Sequence, residues 1–302
     1  MSGRVVVAGE ALIDLVAQAD GNLKPALGGG PFNTARAVAR MGRATAFIGA
    51  ISHDHFGDQL AAALAADGVA LDERLRTERP TSLAMAQLDE QGSASYRFYF
   101  EGTSAEGLGA ASALAALPSD AAALHVGSLG LVLEPMAEAV EALVAAASPG
   151  ALVMLDPNLR PSIISDRARH GARLERVMAR ADVVKVSDAD LLEMFPGLTP
   201  QDAASSLLEK GPRLVLLTLG PEGAVALGAF GRQAIAAPAV TVVDTIGAGD
   251  TFSGAWLARW LELDADLADG QAVRDATEFA CRAAALCCER AGAVPPTRAE
   301  LA

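Results

Sequence analysis

Apolar and polar residues recur along this chain with two different periods. Mainly apolar runs, which predict buried strands, occupy residues 5–8, 44–49, 124–127, 152–155, 183–186, 214–218 and 240–243. Between these runs apolar residues return at helical spacing, most clearly at residues 34–41, 56–67 and 271–290. A strand, a crossover helix and a second strand form a parallel βαβ unit. The pattern therefore predicts an α/β fold around a mostly parallel central sheet.

Two segments interrupt this alternation and predict strands outside the central sheet. Residues 11–27 carry turn residues at Asp20-Gly21-Asn22 and Pro25, and residues 80–101 alternate in polarity around Asp89-Glu90-Gln91-Gly92. Together the two segments can form a small sheet that covers one edge of the core as a lid. Because composition marks no linker, repeat or boundary, we expect residues 1–302 to form a single domain with both lid segments inserted in it.

Charge and cysteine content narrow the classes of function. The formal net charge is −13, and the chain has only three lysines, so we expect no nucleic-acid partner. The first apolar run is too short for a signal peptide or a membrane span, and we therefore expect a cytoplasmic protein with no membrane partner. Cys281, Cys287 and Cys288 fall in one predicted helix without a disulfide framework or a metal-binding spacing.

The sequence Asp-Thr-Ile-Gly-Ala-Gly-Asp at residues 244–250 holds the candidate chemistry. It joins the predicted strand 240–243 to a predicted helix, and its two glycines let the backbone approach a ligand closely. Free amides at a helix N-terminus bind anions. A carboxylate at that position, Asp250, either caps the helix or, beside a bound phosphate, takes a proton from an attacking hydroxyl group.

The sequence DTIGAGDTFSGA, residues 244–255, resembles the signature of the ribokinase (PfkB) family of carbohydrate kinases. The run of glycines at residues 28–30, followed by Asn33 and a helix ending in Ala-Arg-Met-Gly, is similar to the first signature of that family. The resemblance implies a ribokinase-like three-layer sandwich with a small β lid. It also implies ATP-dependent phosphorylation of a primary hydroxyl group of a small sugar, with Mg²⁺ accompanying ATP.

The resemblance assigns the catalytic roles to the second signature. Asp250 is the base that deprotonates the sugar, and the amides of Gly247, Ala248 and Gly249 hold the transferring phosphoryl group. The motif Asp-Pro-Asn-Leu-Arg at residues 156–160 is also typical of the family, and Arg160 either binds a phosphate or sugar oxygen or is a solvated arginine at a helix start.

The sugar-binding residues come from the N-terminal half and the lid. Gly29 and Gly30 let a sugar approach the backbone, while the Asn33 amide both donates to and accepts from hydroxyl groups; its alternative role is a helix cap. Asp14 matches the family carboxylate that binds two sugar hydroxyls, although alone it would be an ordinary surface charge. Arg97 lies in the lid strand and is the further substrate-binding candidate.

The nucleotide and cation positions are inferred from the same resemblance. Thr218, Gly220 and Gly223 match the nucleotide loop of the family, and Gly249 of the second signature is a further nucleotide-binding candidate. Ser187 and Asp190 stand where the family usually has Asn and Glu, so the role of this pair in phosphate and magnesium placement is open. A monovalent cation such as K⁺ has a possible site formed by five residues: Asp244, Ile246, Cys287, Arg290 and Gly292.

Several alternatives stay open at this stage. The opening GEALIDL and the lid strand YRFYF, residues 96–100, are more similar to fructokinases than to ribokinases, so fructose is the first choice of substrate. Ribose, 2-keto-3-deoxygluconate and a nucleoside are the other acceptors, and a non-catalytic sugar- or nucleotide-binding regulator is the alternative of a different class. The absence of a Gly-Lys dipeptide excludes a Walker P-loop. An aromatic edge strand in the lid offers a surface for a homodimer.

Overall fold

The computed structural model describes residues 3–18, 20–88 and 94–301, and for residues 86–88 and 94–96 it describes the backbone alone. The strands of the described residues are β1 (Arg4–Ala8), β2 (Leu12–Ala17), β3 (Leu23–Gly28), β4 (Thr45–Ile48), β5 (Ile51–Ser52), β6 (Val69–Leu71), β7 (Arg76–Thr77), β8 (Leu83–Leu88), β9 (Ala94–Tyr99), β10 (Ala121–Gly127), β11 (Leu152–Asp156), β12 (Val183–Ser187), β13 (Leu214–Thr218), β14 (Ala224–Gly228) and β15 (Gly231–Ile235). The α-helices are α1 (Gly30–Arg40), α2 (His55–Ala66), α3 (Ala110–Ala116), α4 (Met136–Ala146), α5 (Arg167–Arg180), α6 (Asp188–Met194), α7 (Pro200–Leu208), α8 (Ala248–Leu263) and α9 (Gly270–Cys288). None of the described helices has both the length and the apolarity that crossing a lipid bilayer requires.

A nine-stranded sheet forms the centre of the protein. Its strand order is β15-β14-β13-β12-β11-β10-β1-β4-β6, in which β14 runs antiparallel to both of its neighbours, β13 and β15, and all the other neighbouring pairs are parallel. The parallel strands all end at the same edge of the sheet, where ligands of open α/β sheets usually bind. The predicted mostly parallel sheet is confirmed.

The sheet is buried on both faces, as the β1 strand shows. Val5 and Val7 belong to one apolar cluster, which includes Phe32 of α1 and Trp256 of α8. Val6 and Ala8, the alternate residues of β1, belong to a second cluster on the other face, which includes helices α4, α5 and α7. Because successive residues of a strand point to opposite faces, the apolar run of β1 fills both layers. The predicted three-layer sandwich is confirmed.

A separate four-stranded sheet has the order β3-β2-β8-β9. Strands β2 and β3 form one antiparallel hairpin and β8 and β9 form another, while β2 and β8 pair in parallel. The prediction that residues 11–27 and 80–101 form strands of one small sheet is therefore confirmed. The predicted turn at residues 89–92 lies outside the described residues.

The prediction of a buried strand at residues 240–243 is wrong. Val242 and Val243 are 59% and 61% exposed, and the amide of Val243 donates to the carbonyl of Cys288 at the end of α9 instead of to a neighbouring strand. β-branched residues favour an extended backbone whether or not that backbone joins a sheet. The edge of the sheet is occupied by the hairpin of β14 and β15, which the apolar pattern did not predict.

Helices α1 and α8 pack side by side at very close range. A Cβ atom on Gly254 would lie 2.6 Å from Cβ of Ala37 and 2.9 Å from the carbonyl oxygen of Thr34, so this contact requires glycine. The close packing sets the N-terminal turns of the two helices against each other. The two glycine-rich turns predicted from the sequence therefore open into the same cleft.

Candidate active site

The turn before α8 presents backbone amides to the cleft. Gly247 is the N-cap of α8 with φ +77°, and a Cβ atom there would lie 2.6 Å from Cβ of Ala293. The amide of Ala248 donates to the carbonyl of Thr245 at 3.2 Å. The amides of Gly247, Gly249 and Asp250 contact no acceptor within the described part of the chain. The predicted amides of Gly247 and Gly249 are therefore available to an anion, together with that of Asp250, whereas the amide of Ala248, also predicted as an anion donor, is already bonded within the turn.

Asp250 lies in the first turn of α8 and contacts α1 directly. Asn33 Nδ2 donates to Asp250 Oδ2 at 2.9 Å, and Asn33 is buried in α1. The cap position of α1 is Gly29, so Asn33 is not a helix cap. Burial raises the pKa of Asp250 to about 6, against the opposing effects of Asn33, Lys185 and Arg160. The two predicted signatures therefore meet at a carboxylate that is basic for an aspartate and still ionised at neutral pH.

The glycine-rich turn before α1 is held by a buried glutamate. Glu10 Oε1 accepts from the amide of Gly30 at 3.2 Å, and Oε2 accepts from the amide of Gly130 at 3.1 Å. A Cβ atom on Gly29 (φ +106°) would lie 2.7 Å from the carbonyl oxygen of Glu10, and one on Gly30 would lie 3.3 Å from Asp250 Oδ1. This turn has no room for side chains, because the backbone itself forms the wall of the cleft.

Asp14 and Arg160 form the opposite side of the cleft. Asp14 lies on β2 and approaches the backbone so closely that a Cβ atom on Gly28 would be 2.0 Å from Asp14 Oδ2. Burial raises the pKa of Asp14 to about 6, and the charge of Arg160 opposes that rise. Arg160 Nη1 donates to Oδ1 and the carbonyl of Asn158 and to the carbonyl of Leu159, so its position is fixed by its own loop.

A cavity of about 330 Å³ connects these groups. That volume lies at the lower end of the range for small-molecule sites. The predicted site residues that line it are Asp14, Gly29, Gly30, Asn33, Arg160, Ile246, Gly247, Gly249 and Asp250. The lining residues that were not predicted as site residues are Glu10, Leu12, Phe98, Ser128, Leu129, Asn158, Lys185 and Thr245.

Arg97 is not brought to the cavity. It is exposed on β9, and the neighbouring Phe98 lines the cavity instead. Since side chains alternate between the two faces of a strand, only one of these neighbours faces the cleft in this conformation. The sequence identified the strand but not which of its residues face inward.

Lys185 is the main functional candidate that the sequence reasoning missed. It lies in the middle of β12, is 5% exposed, and its Nζ donates to Asp156 Oδ2 at 3.0 Å. A Cβ atom on Gly249 would lie 3.0 Å from this nitrogen. Burial disfavours its charge, but the carboxylates of Asp156, Asp190 and Asp250 together raise the pKa of Lys185. A charged residue within an apolar strand was the available signal.

The predicted nucleotide residues lie together, next to the cavity lining rather than within it. Ser187 ends β12 and is paired in the sheet with Thr218, which ends β13. Gly220 and Gly223 follow in the turn to β14, both with positive φ, and a Cβ atom on Gly223 would lie 2.1 Å from the carbonyl of Ile235. These four residues continue the carboxyl edge of the sheet away from Asp250.

Ser187 and Asp190 form a reciprocal capping box at the start of α6. Asp190 Oδ2 accepts from the amide and hydroxyl of Ser187, at 3.1 and 2.6 Å, and Ser187 Oγ accepts from the amide of Asp190. Asp190 Oδ1 accepts from the amide of Leu159 at 2.8 Å. Both carboxylate oxygens of Asp190 are thus occupied by protein donors, and they fix the loop that carries Arg160.

Asp244 ties the loop before α8 to the loop after α9. Its Oδ1 accepts from the amide of Ile246 at 3.0 Å and its Oδ2 from the amide of Gly292 at 2.8 Å. The Cys287 thiol lies 3.8 Å from the carbonyl oxygen of Ile246, and the Cys287 carbonyl accepts from the amide of Arg290. The predicted cation residues are therefore neighbours. Within the described residues no three His, Cys, Asp or Glu side chains are placed to hold a metal ion.

Comparisons with known proteins agree with this geometry. Residues 2–300 match the model of the family described as pfkB family carbohydrate kinase. The chain is 39% identical to a fructokinase of Rhizobium leguminosarum bv. trifolii over 84% of this chain and 78% of that protein. It is 35% identical to fructokinase-2 of Solanum habrochaites over 99% of this chain and 95% of that protein.

Solved structures show the same fold. A fructokinase from Vibrio cholerae O395, with fructose, ADP and calcium bound, aligns with a TM-score of 0.88 and 30% identity over 99% of this chain and 98% of that one. An aminoimidazole riboside kinase from Salmonella enterica, with aminoimidazole riboside and an ATP analogue bound, aligns with a TM-score of 0.88 and 26% identity over 99% and 98% of the two chains.

Proposed function

This chain belongs to the pfkB family of carbohydrate kinases, and from that premise we propose that it transfers the γ-phosphoryl group of ATP to the primary hydroxyl of fructose, giving fructose 6-phosphate. The observation that carries the proposal is the position of Asp250, which faces the cavity beside the open amides of Gly247 and Gly249. Fructose is favoured over other acceptors because the curated relatives described above are fructokinases and a neighbouring structure binds fructose with ADP.

The sugar binds between the two sides of the cleft. Asp14 accepts hydrogen bonds from two sugar hydroxyls, which orients the ring, and Arg160 donates to a sugar oxygen. Gly29 and Gly30 let the sugar lie against the backbone. The primary hydroxyl is then directed to Asp250, which removes its proton as the oxygen attacks the γ-phosphorus.

The turn at residues 247–250, called here the anion turn, stabilises the phosphoryl group during transfer. Its amides of Gly247, Gly249 and Asp250 need no reorganisation when charge spreads over the phosphoryl oxygens, and such preorganised donors supply a large part of catalysis. Asn33 donates to Asp250 and favours its ionised form, so the base is ready above its pKa of about 6. The small sheet acts as a lid, with Phe98 covering the cleft and excluding water.

ATP lies along the carboxyl edge of the sheet, with Ser187, Thr218, Gly220 and Gly223 on the nucleotide side. Mg²⁺ accompanies ATP and neutralises charge on its phosphates. Because both oxygens of Asp190 already accept from protein donors, Mg²⁺ would be held mainly by phosphate oxygens and water rather than by this carboxylate. Since the phosphoryl donor is ATP, we place the reaction in the cytoplasm, without nucleic-acid or membrane partners.

Four further features belong to the proposal. The residues around Asp244 hold a monovalent cation such as K⁺; a related fructokinase from Vibrio cholerae has a potassium-bound structure. Residues 1–302 act as a single domain. The lid sheet pairs with that of a second copy through β9, where Tyr99 is 47% exposed, and Arg97 reaches the substrate only when the lid closes.

Release of ADP with a panel of acceptors tests the proposal. The panel contains fructose, ribose, 2-keto-3-deoxygluconate and aminoimidazole riboside, each with Mg²⁺ and ATP. We expect fructose to give a kcat/KM at least about tenfold above each of the others, because a site that hydrogen-bonds hydroxyls discriminates by that much or more. A higher value for another acceptor would overturn the substrate assignment. Sugar binding by calorimetry without ADP release from any acceptor would show a non-catalytic regulator instead.

A further inference from the structure

We propose that Lys185 is a catalytic residue of this chain: its ammonium group, held by Asp156, contacts the γ-phosphoryl group beside the Gly249 amide and stabilises it during transfer. The inference rests on the proposed kinase reaction and adds to it a cation that no sequence motif supplied. It explains why a lysine occupies the interior of an otherwise apolar strand.

The position of Lys185 is the first support. The distance of 3.0 Å between its Nζ and a notional Cβ on Gly249 places the ammonium directly against the anion turn. Gly249 is therefore needed for two reasons, since a side chain there would displace the lysine as well as the ligand. An anion bound by the Gly249 amide lies within reach of the ammonium.

The hydrogen-bonding capacity of Lys185 is the second support. An ammonium has three N–H donors. Among the described residues it has one acceptor, Asp156 Oδ2, which is itself 3% exposed and also accepts weakly from Ser253 Oγ at 3.5 Å. Two donors are left for a ligand. A lysine whose task was only to neutralise Asp156 would not need to border the substrate cavity.

The balance of charge in the cleft is the third support. Glu10, Asp14 and Asp250 line the cavity, and ATP brings further negative charge to it. The described lining includes two cations, Arg160 and Lys185. Arg160 is bound to the carbonyls of its own loop, and on the sugar side its charge opposes the rise that burial causes in the pKa of Asp14. Lys185 is thus the cation that remains for the phosphoryl group at the anion turn.

A double-mutant cycle separates this role from a structural one. Lys185→Met keeps most of the length of the side chain but removes its charge and leaves the buried Asp156 with only the weak contact to Ser253, so we expect a lower Tm as well as slower turnover. Asp156→Asn removes the opposite charge, and the double variant Lys185→Met/Asp156→Asn removes the pair. We expect the double variant to recover the Tm lost in Lys185→Met, while kcat stays about 10²–10³-fold below that of the wild type, as for loss of one preorganised donor. If the double variant recovers kcat to within about threefold of the wild type, Lys185 only compensates Asp156 and the proposal is wrong.

A binding measurement distinguishes failure of this inference from failure of the substrate assignment. Calorimetry with Mg²⁺ compares AMP-PNP with ADP, which lacks the γ-phosphoryl group. We expect Lys185→Met/Asp156→Asn to weaken AMP-PNP binding by about tenfold or more while ADP binding changes less than about threefold. Equal losses for both nucleotides would overturn the contact with the γ-phosphoryl group, even in a protein that phosphorylates fructose. Selective loss for AMP-PNP would support it even if no sugar in the panel were phosphorylated.

Lys210→Met is the matched control. Lys210 is an exposed lysine just after α7, 3.8 Å from Glu175, and it does not line the cavity. Its substitution is expected to leave kcat, the ratio of the affinities for AMP-PNP and ADP, and Tm close to the wild-type values. A Lys210→Met variant that lost the preference for AMP-PNP would show that the effect of Lys185 is not local, and would overturn the proposal.

Discussion

Replacement of Asp250 by asparagine should remove turnover and at the same time stabilise the fold. Asparagine has nearly the same shape and keeps an oxygen that accepts from Asn33 Nδ2, so the contact between α1 and α8 survives. It cannot take a proton. Loss of a positioned general base costs about 10²–10⁴ in kcat, while the affinities for ATP and sugar should change little.

The stability change follows from the raised pKa of Asp250, about 6 against 3.8 in the unfolded chain. The folded state holds this proton more tightly than the unfolded chain does. The free energy of unfolding therefore falls as the pH rises from 3.8 to about 6 and the folded carboxyl group ionises. Two pKa units at 1.36 kcal/mol each correspond to a cost of about 3 kcal/mol above pH 6. The neutral amide of the variant carries no such cost, so we expect Asp250→Asn to be more stable than the wild type at pH 8, with an advantage that shrinks towards pH 4.

Two assays test the two halves of this prediction. ADP release measures kcat, and urea unfolding at pH 8, 6 and 4.5 measures the free energy of unfolding. Glu209→Gln is the control, because Glu209 is an exposed carboxylate at the end of α7 and its substitution should change stability by less than about 0.5 kcal/mol. A loss of kcat smaller than about tenfold would refute the role as base. A stability difference that grew on acidification would refute the raised pKa.

Three further predictions concern the neighbours of Asp250. Since burial raises the pKa values of both Asp250 and Asp14 to about 6 and both must be ionised, kcat/KM should fall by up to about a hundredfold per pH unit well below pH 6. Asn33→Ala removes a donor to Asp250 and should move the acidic limb of the kcat–pH profile to higher pH. A wild-type profile that falls only near pH 4 would contradict this. Gly28→Ala should raise the KM for sugar by about tenfold or more with little change in the KM for ATP, because its Cβ would lie 2.0 Å from Asp14 Oδ2. Gly150→Ala, with open space around it, is the control. Equal effects of the two substitutions on the KM for sugar would contradict the contact. Asp190→Ala should lower the free energy of unfolding by about 2–4 kcal/mol and weaken sugar binding, because Asp190 fixes the loop that carries Arg160. Asp188 is exposed on the same helix, and Asp188→Ala should do neither. Urea unfolding and sugar titration compare the two variants, and similar losses in both would contradict the role of Asp190 in fixing that loop.

The parts of the fold that sequence predicted are those in which local pattern and tertiary structure agree. The apolar runs of β1, β11 and β13 are continuous because both faces of the sheet are covered, and those of β10 and β12 are broken only by His125 and Lys185, so the apolar pattern alone identifies all five strands. The run at residues 240–243 has the same composition but is joined to the end of α9 by the amide of Val243. Composition reports a preference for extended backbone, and it does not report whether a partner strand is available.

The residues of the candidate site also divide into those that the local sequence predicted and those that it did not. Asp250, Gly247 and Asn33 were predicted because a helix N-terminus concentrates their chemistry in a short stretch of sequence. Glu10 and Lys185 were missed because each acts through a distant backbone segment: Glu10 braces Gly30 and Gly130, and Lys185 borders Gly249. Such a role depends on which strands are neighbours in the sheet, and single-residue chemistry does not reveal it.

The replacement of the usual Asn and Glu by Ser187 and Asp190 has a structural explanation in this chain. The shorter Asp190 turns back into a capping box and onto the Leu159 amide, which braces the Arg160 loop instead of reaching into the cleft. Asp190 keeps its negative charge at this edge of the sheet, and together with Asp156 and Asp250 it raises the pKa of Lys185. The buried Lys185, two residues before Ser187 on β12, borders the anion turn with Asp156 as its hydrogen-bonding partner. Asp190 therefore braces the Arg160 loop and also helps to keep Lys185 charged beside the turn that we propose holds the phosphoryl group.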